Sequence, residues 1–260
     1  MKALTGLLLA LGLTSHATTP GMTWSRAPMA ASGPLAYVDV IVARMDPGRL
    51  QFQLQREMRD YGLQAAWTID MMPDRGVVAF NAGQFTGGFP WGWLVMDGVE
   101  QQPPGAGRLA MSFVIDDDGR ASLLAPDEVA AARGKVQFAF QSYPMLLGGN
   151  ADVPWELQAP GRGVRLTHRD SRLALGIRAD GSVIVALTRF TGAGAIGERL
   201  PFGPTVVEMA DFMRSQGCVR AMMLDGGLSS QLALRNTTGS LERWPNWRPV
   251  PLAVVALARP

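Results

Sequence analysis

The chain is poor in the residues that build disulfides and histidine-based sites, with one cysteine, Cys218, and two histidines among 260 residues. A single cysteine excludes a disulfide within the chain. Its place before an apolar segment predicts a small buried side chain rather than a reactive thiol. His16 lies in a predicted leader, so only His168 is left for metal binding or a serine hydrolase, and no Gly-x-Ser-x-Gly sequence is present. Both classes of site are therefore disfavoured.

Neither sign of charge is in large excess. The 24 Lys and Arg residues nearly balance the 22 Asp and Glu residues, which gives a net charge of +2. No basic run or stripe accompanies this small excess, so we predict no nucleic-acid partner. Hydrophobic residues make up 47% of the chain, a proportion typical of globular proteins.

Long apolar runs are lacking beyond the first residues. Lys2 precedes an apolar stretch at 3–13, and Ser15-His16-Ala17 fits the small-x-small pattern of a signal-peptide cleavage site. The stretch is too short to span a bilayer. We predict a signal peptide at 1–17, an N-terminal extension at 18–35 and one domain at 36–260. This organisation implies a periplasmic or secreted protein without a transmembrane anchor.

Strand patterns dominate the rest of the chain. Asp-Gly pairs at 97–98, 118–119 and 180–181 lie between apolar segments, the pattern of β-hairpins. Segments 37–44 and 50–55 flank Asp46-Pro-Gly48, a turn sequence that predicts a further strand pair. Segment 251–257 predicts a last, buried strand.

Helical patterns are few. The clearest runs from 206 to 216, where Thr205 and Glu208 form a capping box and Gly217 occupies the position of a C-terminal cap. A second helix is predicted at 63–72, ending before Pro73. The expected fold class is α+β, a single domain with a twisted, largely antiparallel sheet and a few flanking helices.

One carboxylate stands apart from the others. Asp97, Asp118 and Asp180 precede glycine in predicted hairpins, where conformation alone explains an aspartate. Asp225 instead ends a short apolar strand and is followed by Gly226-Gly227-Leu228-Ser229-Ser230. Such a turn can present a carboxylate, backbone amides and hydroxyls together. The alternative is a wide turn in which Asp225 accepts hydrogen bonds from the backbone.

Other segments end in similar polar turns. Asn81-Ala-Gly83-Gln84 follows the apolar segment 77–80, and Gln141-Ser142-Tyr143-Pro144 follows another. Arg172 begins the third hairpin, where its planar guanidinium could hold an anionic oxygen or simply lie at a strand end.

Two tryptophans lie in a glycine-rich loop at 86–93. Trp91 could stack on the apolar face of a sugar ring or cover the core. Trp93 alternates with Val95, so we expect it to be a core residue.

Taken in order, five segments resemble the phosphodiester glycosidase domain family across residues 36–258. They are 81–85, 90–98, 141–146, 172–181 and 224–230, and the 205–216 helix also matches. The resemblance implies as site residues Asn81, Gly83, Arg172, Asp225, Gly226, Gly227 and Ser230. The sequence departs from the family at Ala82, Gln84 and Leu228, so the identity of the family's substrate does not carry over.

The resemblance and the residues together predict an exported glycan hydrolase acting on a glycosidic bond, including a bond to phosphate, in an envelope or extracellular polysaccharide. Asp225 is the expected nucleophile or general base, and Arg172 the group that stabilises a departing phosphate. Asn81 and Ser230 would orient sugar hydroxyls. Gly83, Trp91, Ser142, Gly226, Gly227 and Ser229 complete the expected binding site. A second catalytic carboxylate is not identifiable, and Glu208 is a weak candidate.

Three other functions stay open at this point. The first is a noncatalytic glycan-binding or exopolysaccharide-assembly protein that uses the Trp91 loop. The second is a metal-dependent phosphodiesterase in which Asp225, Asn81 and backbone carbonyls hold a hard cation such as calcium. No dense cluster of acids supports such a site, so we predict no cofactor. The weakest is a serine hydrolase.

Overall fold

The computed structural model describes residues 14–17, 19–30, 32–62, 64–161, 163–192 and 194–259. Most of the predicted signal peptide, residues 1–13, lies outside the described residues. Its last four residues, Thr14–Ala17, form a strand that pairs with Met22–Pro28. Cleavage of a leader stays a prediction. No helix within the described ranges is long and apolar enough to cross a membrane.

Strands far outnumber helices in the described chain. The strands are β1 Thr14–Ala17, β2 Met22–Pro28, β3 Val38–Met45, β4 Leu50–Arg56, β5 Met58–Arg59, β6 Gln64–Ala65, β7 Gly76–Asn81, β8 Phe85–Thr86, β9 Phe89–Pro90, β10 Leu94–Met96, β11 Val99–Gln102, β12 Met111–Asp116, β13 Ala121–Leu124, β14 Val136–Ser142, β15 Met145–Leu147, β16 Leu173–Arg178, β17 Val183–Phe190, β18 Cys218–Met223, β19 Leu232–Arg235, β20 Leu241–Trp244 and β21 Leu252–Ala258. The α-helices are α1 Val129–Ala132, α2 Gly194–Gly197 and α3 Val206–Ser215. Short 3-10 helices cover Pro34–Tyr37, Asp60–Gly62, Ile69–Met71, Gly149–Ala151, Trp155–Leu157 and Gly227–Ser229.

Three antiparallel sheets contain nearly all of these strands. The first has the order β1-β2-β3-β17-β16-β18-β15, the second β11-β10-β14-β12-β13, and the third β20-β19-β7-β21-β4. The largely antiparallel, strand-rich architecture is therefore confirmed and fits the expected α+β class, although the strands form three main sheets rather than one.

One apolar core lies between the inner faces of the three sheets. Along β21, Leu252 and Val254 face this core, whereas Ala253 and Val255 face a smaller cluster around Trp67. This alternation is the two-residue repeat of a strand buried on both faces. Helix α3 covers the other face of the first sheet, with Met209 and Met213 in a cluster that includes Cys218.

The predicted hairpins and two predicted buried residues are confirmed. The three Asp-Gly hairpins form as β10–β11, β12–β13 and β16–β17. Cys218 is buried, and desolvation raises the pKa of its thiol to about 12, which suppresses the reactive thiolate. Trp93 is 1% exposed, as expected of a core residue.

Two predicted elements are wrong. Segments 37–44 and 50–55 do form strands, β3 and β4, but they join different sheets, because β3 pairs with β2 and β17 while β4 pairs with β21. The predicted helix at 63–72 is instead a short strand followed by the 3-10 helix Ile69–Met71. Trp67 forms a bridge with Val250, so long-range pairing holds this segment extended.

Helix α3 has the predicted capping box. The Thr205 hydroxyl accepts from the Glu208 amide at 3.2 Å, and the Glu208 carboxylate accepts from the Thr205 amide at 2.8 Å. Gly217 follows the helix with φ of 78°, a left-handed conformation that favours glycine.

We expect Thr205→Ala to lower the free energy of unfolding by about 1 kcal/mol, because the first turn of α3 loses its cap. Urea denaturation followed by circular dichroism measures the change. Thr167→Ala is the matched control, since Thr167 is an exposed loop residue. Equal effects of the two substitutions would show that the cap contributes nothing specific.

Candidate functional site

A cavity of about 280 Å³ lies beside the ends of β7, β14 and β18 and the start of β16, and we call it the site cavity. Its lining includes two carboxylates, two arginines and a histidine, together with apolar and backbone groups. The lining residues are Gln84, Tyr143, Pro144, Gly163, Val164, Arg165, His168, Asp170, Arg172, Val206, Met223, Leu224, Asp225 and Gly226.

Sheet register brings Arg172 and Asp225 to the same wall. Strands β16 and β18 run antiparallel with Ala174 opposite Met223, so the start of β16 lies beside the end of β18. The Leu224 amide donates to the Leu173 carbonyl at 2.8 Å, which continues this pairing to the turn.

Asn81 lies beneath the turn rather than in the cavity. Its Nδ2 donates to the carbonyl of Asp225 at 2.8 Å, and its Oδ1 accepts from the amide of Gln231 at 2.8 Å. The side chain is 0% exposed. Asn81 therefore fixes both sides of the Asp225 turn, and its amide groups point into the protein.

A buried arginine supports the same turn. Arg189 is 1% exposed and donates to the Ser230 carbonyl at 2.7 Å and to the Ser230 and Ser171 hydroxyls at 3.0 Å each. A further bond reaches the Trp244 carbonyl at 3.2 Å. Burial lowers the pKa of Arg189 to about 9, which still leaves it charged at neutral pH.

Ser230 belongs to this buried layer as well. It is 0% exposed, and its hydroxyl donates to the Gly227 carbonyl at 3.0 Å while accepting from Arg189 and Asn246. Ser230 is absent from the lining of the site cavity. The structure thus places it under the turn.

Asp225 is partly buried at the cavity wall. Desolvation raises the pKa of its carboxyl to about 6, and the nearby charge of Asp170 acts in the same direction. A hydrogen bond from Ser229 and the positive charge of Arg248 oppose this rise. The carboxyl consequently changes protonation state close to neutral pH, as a general base or acid must.

Asp170 is a second carboxylate that the sequence analysis did not identify. It lines the site cavity, accepts from the Ser171 amide at 2.8 Å and lies 3.5 Å from His168 Nε2. Its position two residues before Arg172, at the start of β16, is the signal that could have revealed it. Glu208 is not in the cavity lining and instead caps α3 and pairs with Arg169.

Arg172 lines the cavity with a guanidinium group that the backbone orients. Its Nε donates to the Pro204 carbonyl at 3.0 Å and its Nη2 to the His168 carbonyl at 2.6 Å. Burial lowers the pKa of Arg172, and the charge of Asp170 partly offsets this effect. The side chain is thus held in place without an ion pair to the cavity carboxylates.

The predicted glycines lie where the chain passes close to other backbone. A Cβ at Gly83 would overlap the Gln141 carbonyl, and one at Gly226 would lie 2.7 Å from the Ser171 carbonyl. Gly227 has φ of 56°, and a Cβ there would lie 3.1 Å from Asp170 Oδ2. Gly226 lines the cavity, whereas the Gly227 amide is committed to the Ser171 carbonyl at 2.8 Å.

Ser142 and Trp91 do not line the cavity, but each contacts a residue that does. Ser142 is 0% exposed and bonds to Gln84 Oε1 at 2.7 Å. Gln84 and Tyr143 line the cavity, and both were missed in the sequence analysis. Trp91 is outside the lining but packs edge-on against Tyr143 with ring centroids 5.1 Å apart.

The described residues contain no group of three or more His, Cys, Asp or Glu side chains that could hold a metal ion. The calcium alternative also needed Asn81 as a ligand, and its side-chain oxygen already accepts from the Gln231 amide.

We expect Asn81→Ala to lower the free energy of unfolding by about 2 kcal/mol or more, because it leaves the Asp225 carbonyl and the Gln231 amide buried without their partner. Chemical denaturation measures the loss. Asn150→Gly is the control, since Asn150 has φ of 62°, a conformation that glycine adopts readily. An unchanged stability of the Asn81 variant would contradict this supporting role.

Comparisons with known proteins agree on one family. A model of the phosphodiester glycosidase family matches residues 74–257, more than half of the chain. A comparison with curated protein sequences gives no significant match.

Solved structures show a shared fold at low sequence identity. Zebrafish N-acetylglucosamine-1-phosphodiester alpha-N-acetylglucosaminidase, auto-inhibited by its pro-peptide, has a catalytic domain that aligns with a TM-score of 0.63 and 16% identity, over 96% of this chain and 88% of that one. A Synechocystis protein described as hypothetical aligns with a TM-score of 0.61 and 16% identity over 96% of this chain. The present chain spans only 64% of the length of that protein. A Burkholderia pseudomallei protein named as exported gives a TM-score of 0.58 and 14% identity, over 85% and 74% of the two chains.

These structural likenesses show the fold, and the family match covers all the residues that line the site cavity, from Gln84 to Gly226. The chain belongs to the phosphodiester glycosidase family.

Proposed function

We propose that this protein hydrolyses the glycosidic bond of a sugar-1-phosphodiester in an envelope or extracellular polysaccharide. The observation that carries the proposal is that the desolvated carboxyl of Asp225, the carboxyl of Asp170 and the oriented guanidinium of Arg172 all line the site cavity. Export from the cytoplasm is part of the same proposal and is supported by the leader-like sequence at 1–17.

Asp225 acts as the general base in this proposal. Its carboxylate removes a proton from water, and the water oxygen forms a bond to the anomeric carbon of the sugar. The bond between that carbon and the phosphate-bearing oxygen breaks, and its electron pair stays on the phosphate. The products are a free sugar and a phosphate monoester, and Asp225 returns its proton to solvent.

Arg172 assists the departing phosphate. A phosphate leaving group needs little protonation, so positive charge near its oxygens replaces the strong general acid of ordinary glycosidases. The bonds from Arg172 to the Pro204 and His168 carbonyls hold the guanidinium before substrate arrives, which avoids reorganisation during the reaction.

Buried polar residues hold Asp225 in position through hydrogen bonds to the backbone of its turn. Asn81 and Ser230 were expected to orient sugar hydroxyls, but their burial supports a positioning role through the turn backbone. Gln84 and Tyr143, together with Trp91 packed behind Tyr143, are better placed to contact the sugar.

We expect Asp225→Asn to reduce kcat by about 10²–10⁴-fold, because the amide cannot accept the proton of the attacking water. The assay uses hexose and N-acetylhexosamine 1-(methyl phosphate) diesters of both anomers and measures the released sugar. N-acetylhexosamines are included because the zebrafish relative is named for such a substrate. Asp97→Asn is the matched control, since Asp97 lies in a hairpin with φ of 51° that asparagine tolerates. Full turnover by a folded Asp225→Asn protein would exclude this assignment.

We expect kcat/KM of the wild-type protein to fall as the pH drops through about 6, since Asp225 must be ionised to act as a base. Asp170→Asn removes a neighbouring negative charge, so the same decline should move to lower pH. Asparagine keeps the oxygen that accepts from the Ser171 amide, which limits structural damage. A profile that falls above pH 6 instead would show that Asp225 acts as an acid.

A further inference from the structure

A second cavity adjoins the site cavity. It has a volume of about 520 Å³ and we call it the loop cavity. It is lined by Pro160, Gly161, Val164, Arg165, Leu166, Thr167, His168 and Arg169. Val164, Arg165 and His168 line both cavities, so these three residues form the junction between them.

The two cavities differ in charge. Both cavities contain two arginines and a histidine, but the site cavity also contains Asp170 and Asp225, whereas the loop cavity has no acidic residue among its described lining. An anionic group is therefore repelled by the two carboxylates of the site cavity and meets no carboxylate in the described lining of the loop cavity. This difference gives a bound phosphodiester a preferred direction.

Arg165 is the cation available at the junction. Arg169 is already paired, because its two terminal nitrogens donate to the Glu208 carboxylate at 2.9 and 2.8 Å. The Arg165 side chain is exposed and has neither an ion pair nor a hydrogen bond within the part of the chain that the structure describes. A guanidinium in this state can form paired hydrogen bonds to phosphate oxygens.

The junction is hydrogen-bonded to Arg172, one of the proposed catalytic groups. Arg172 Nη2 donates to the His168 carbonyl at 2.6 Å, and the His168 amide donates to the Arg165 carbonyl at 3.2 Å. The loop that carries Arg165 is thus anchored by the residue that faces the departing phosphate.

We propose that the substrate lies across both cavities, with its glycosyl group beside Asp225 and its phosphate-bearing leaving group over Arg165 in the loop cavity. This inference rests on the proposed function and adds the direction in which the substrate binds. Arg165 is then a specificity-determining residue that selects anionic leaving groups over neutral ones.

Arg165→Gln tests the direction of binding. For the cleaved methyl phosphodiester we expect KM to rise about tenfold, as a charge-assisted contact is lost, with kcat within twofold of wild type. The 4-nitrophenyl glycoside of the same sugar has an aglycone that is uncharged when the substrate binds, and its kcat/KM should stay unchanged. Arg75→Gln, at an exposed arginine away from both cavities, is the matched control and should change neither substrate. Arg165→Lys should recover part of the loss.

A binding measurement separates failure of this inference from failure of the proposed function. Methyl phosphate is titrated into the Asp225→Asn protein, with and without Arg165→Gln, and binding is followed by NMR. We expect Arg165→Gln to weaken binding about tenfold. Equal binding by the two proteins, or equal KM changes for charged and neutral substrates, would overturn the loop-cavity assignment. Arg165-dependent binding without cleavage of any diester by the wild-type protein would instead overturn the proposed hydrolysis and retain the phosphate site.

Discussion

The side-chain amide of Asn81 bonds to the carbonyl of Asp225 and to the amide of Gln231, so the intervening turn cannot change shape without breaking a buried hydrogen bond. Arg189 supports the same turn through Ser230 and Ser171. A buried polar layer of this kind is stabilising only while every member is bonded. The geometry of the site cavity therefore depends on residues that do not line it.

Burial has different consequences for the two charged groups near the turn. Arg189 gives its hydrogen bonds to hydroxyls and carbonyls, and its pKa falls only to about 9, so it stays charged. Asp225 gains one hydrogen bond from Ser229, and desolvation outweighs this bond and the charge of Arg248 to raise its pKa to about 6. The fold thereby gives the cavity carboxyl a pKa at which it exchanges a proton close to neutral pH.

Features set by neighbouring residues were predictable from the sequence, and those set by distant pairing were not. The capping box at Thr205 and the Asp-Gly hairpins depend on residues a few positions apart. Strand β4 near the start of the chain pairs with β21 near its end, and no local sequence pattern identifies this partner. The approach of Asp170 to Asp225 also follows from distant pairing, that of β16 with β18, and its position two residues before Arg172 was the one local signal.

Residue type and sequence position also do not distinguish the residues that line the site from those that support it. Asn81, Ser142 and Ser230 all follow apolar segments in the sequence, the pattern expected of ligand-binding groups, yet each is completely buried. A polar side chain at such a turn can face either a ligand or the backbone that shapes the turn, and composition does not distinguish the two. Burial does, because a fully bonded amide or hydroxyl inside the protein has no capacity left for a substrate. Asp225, Asp170 and Arg172 pass this criterion, since each lines the cavity. In the proposed reaction the charged residues therefore carry out the chemistry, and the neutral polar residues hold them in place.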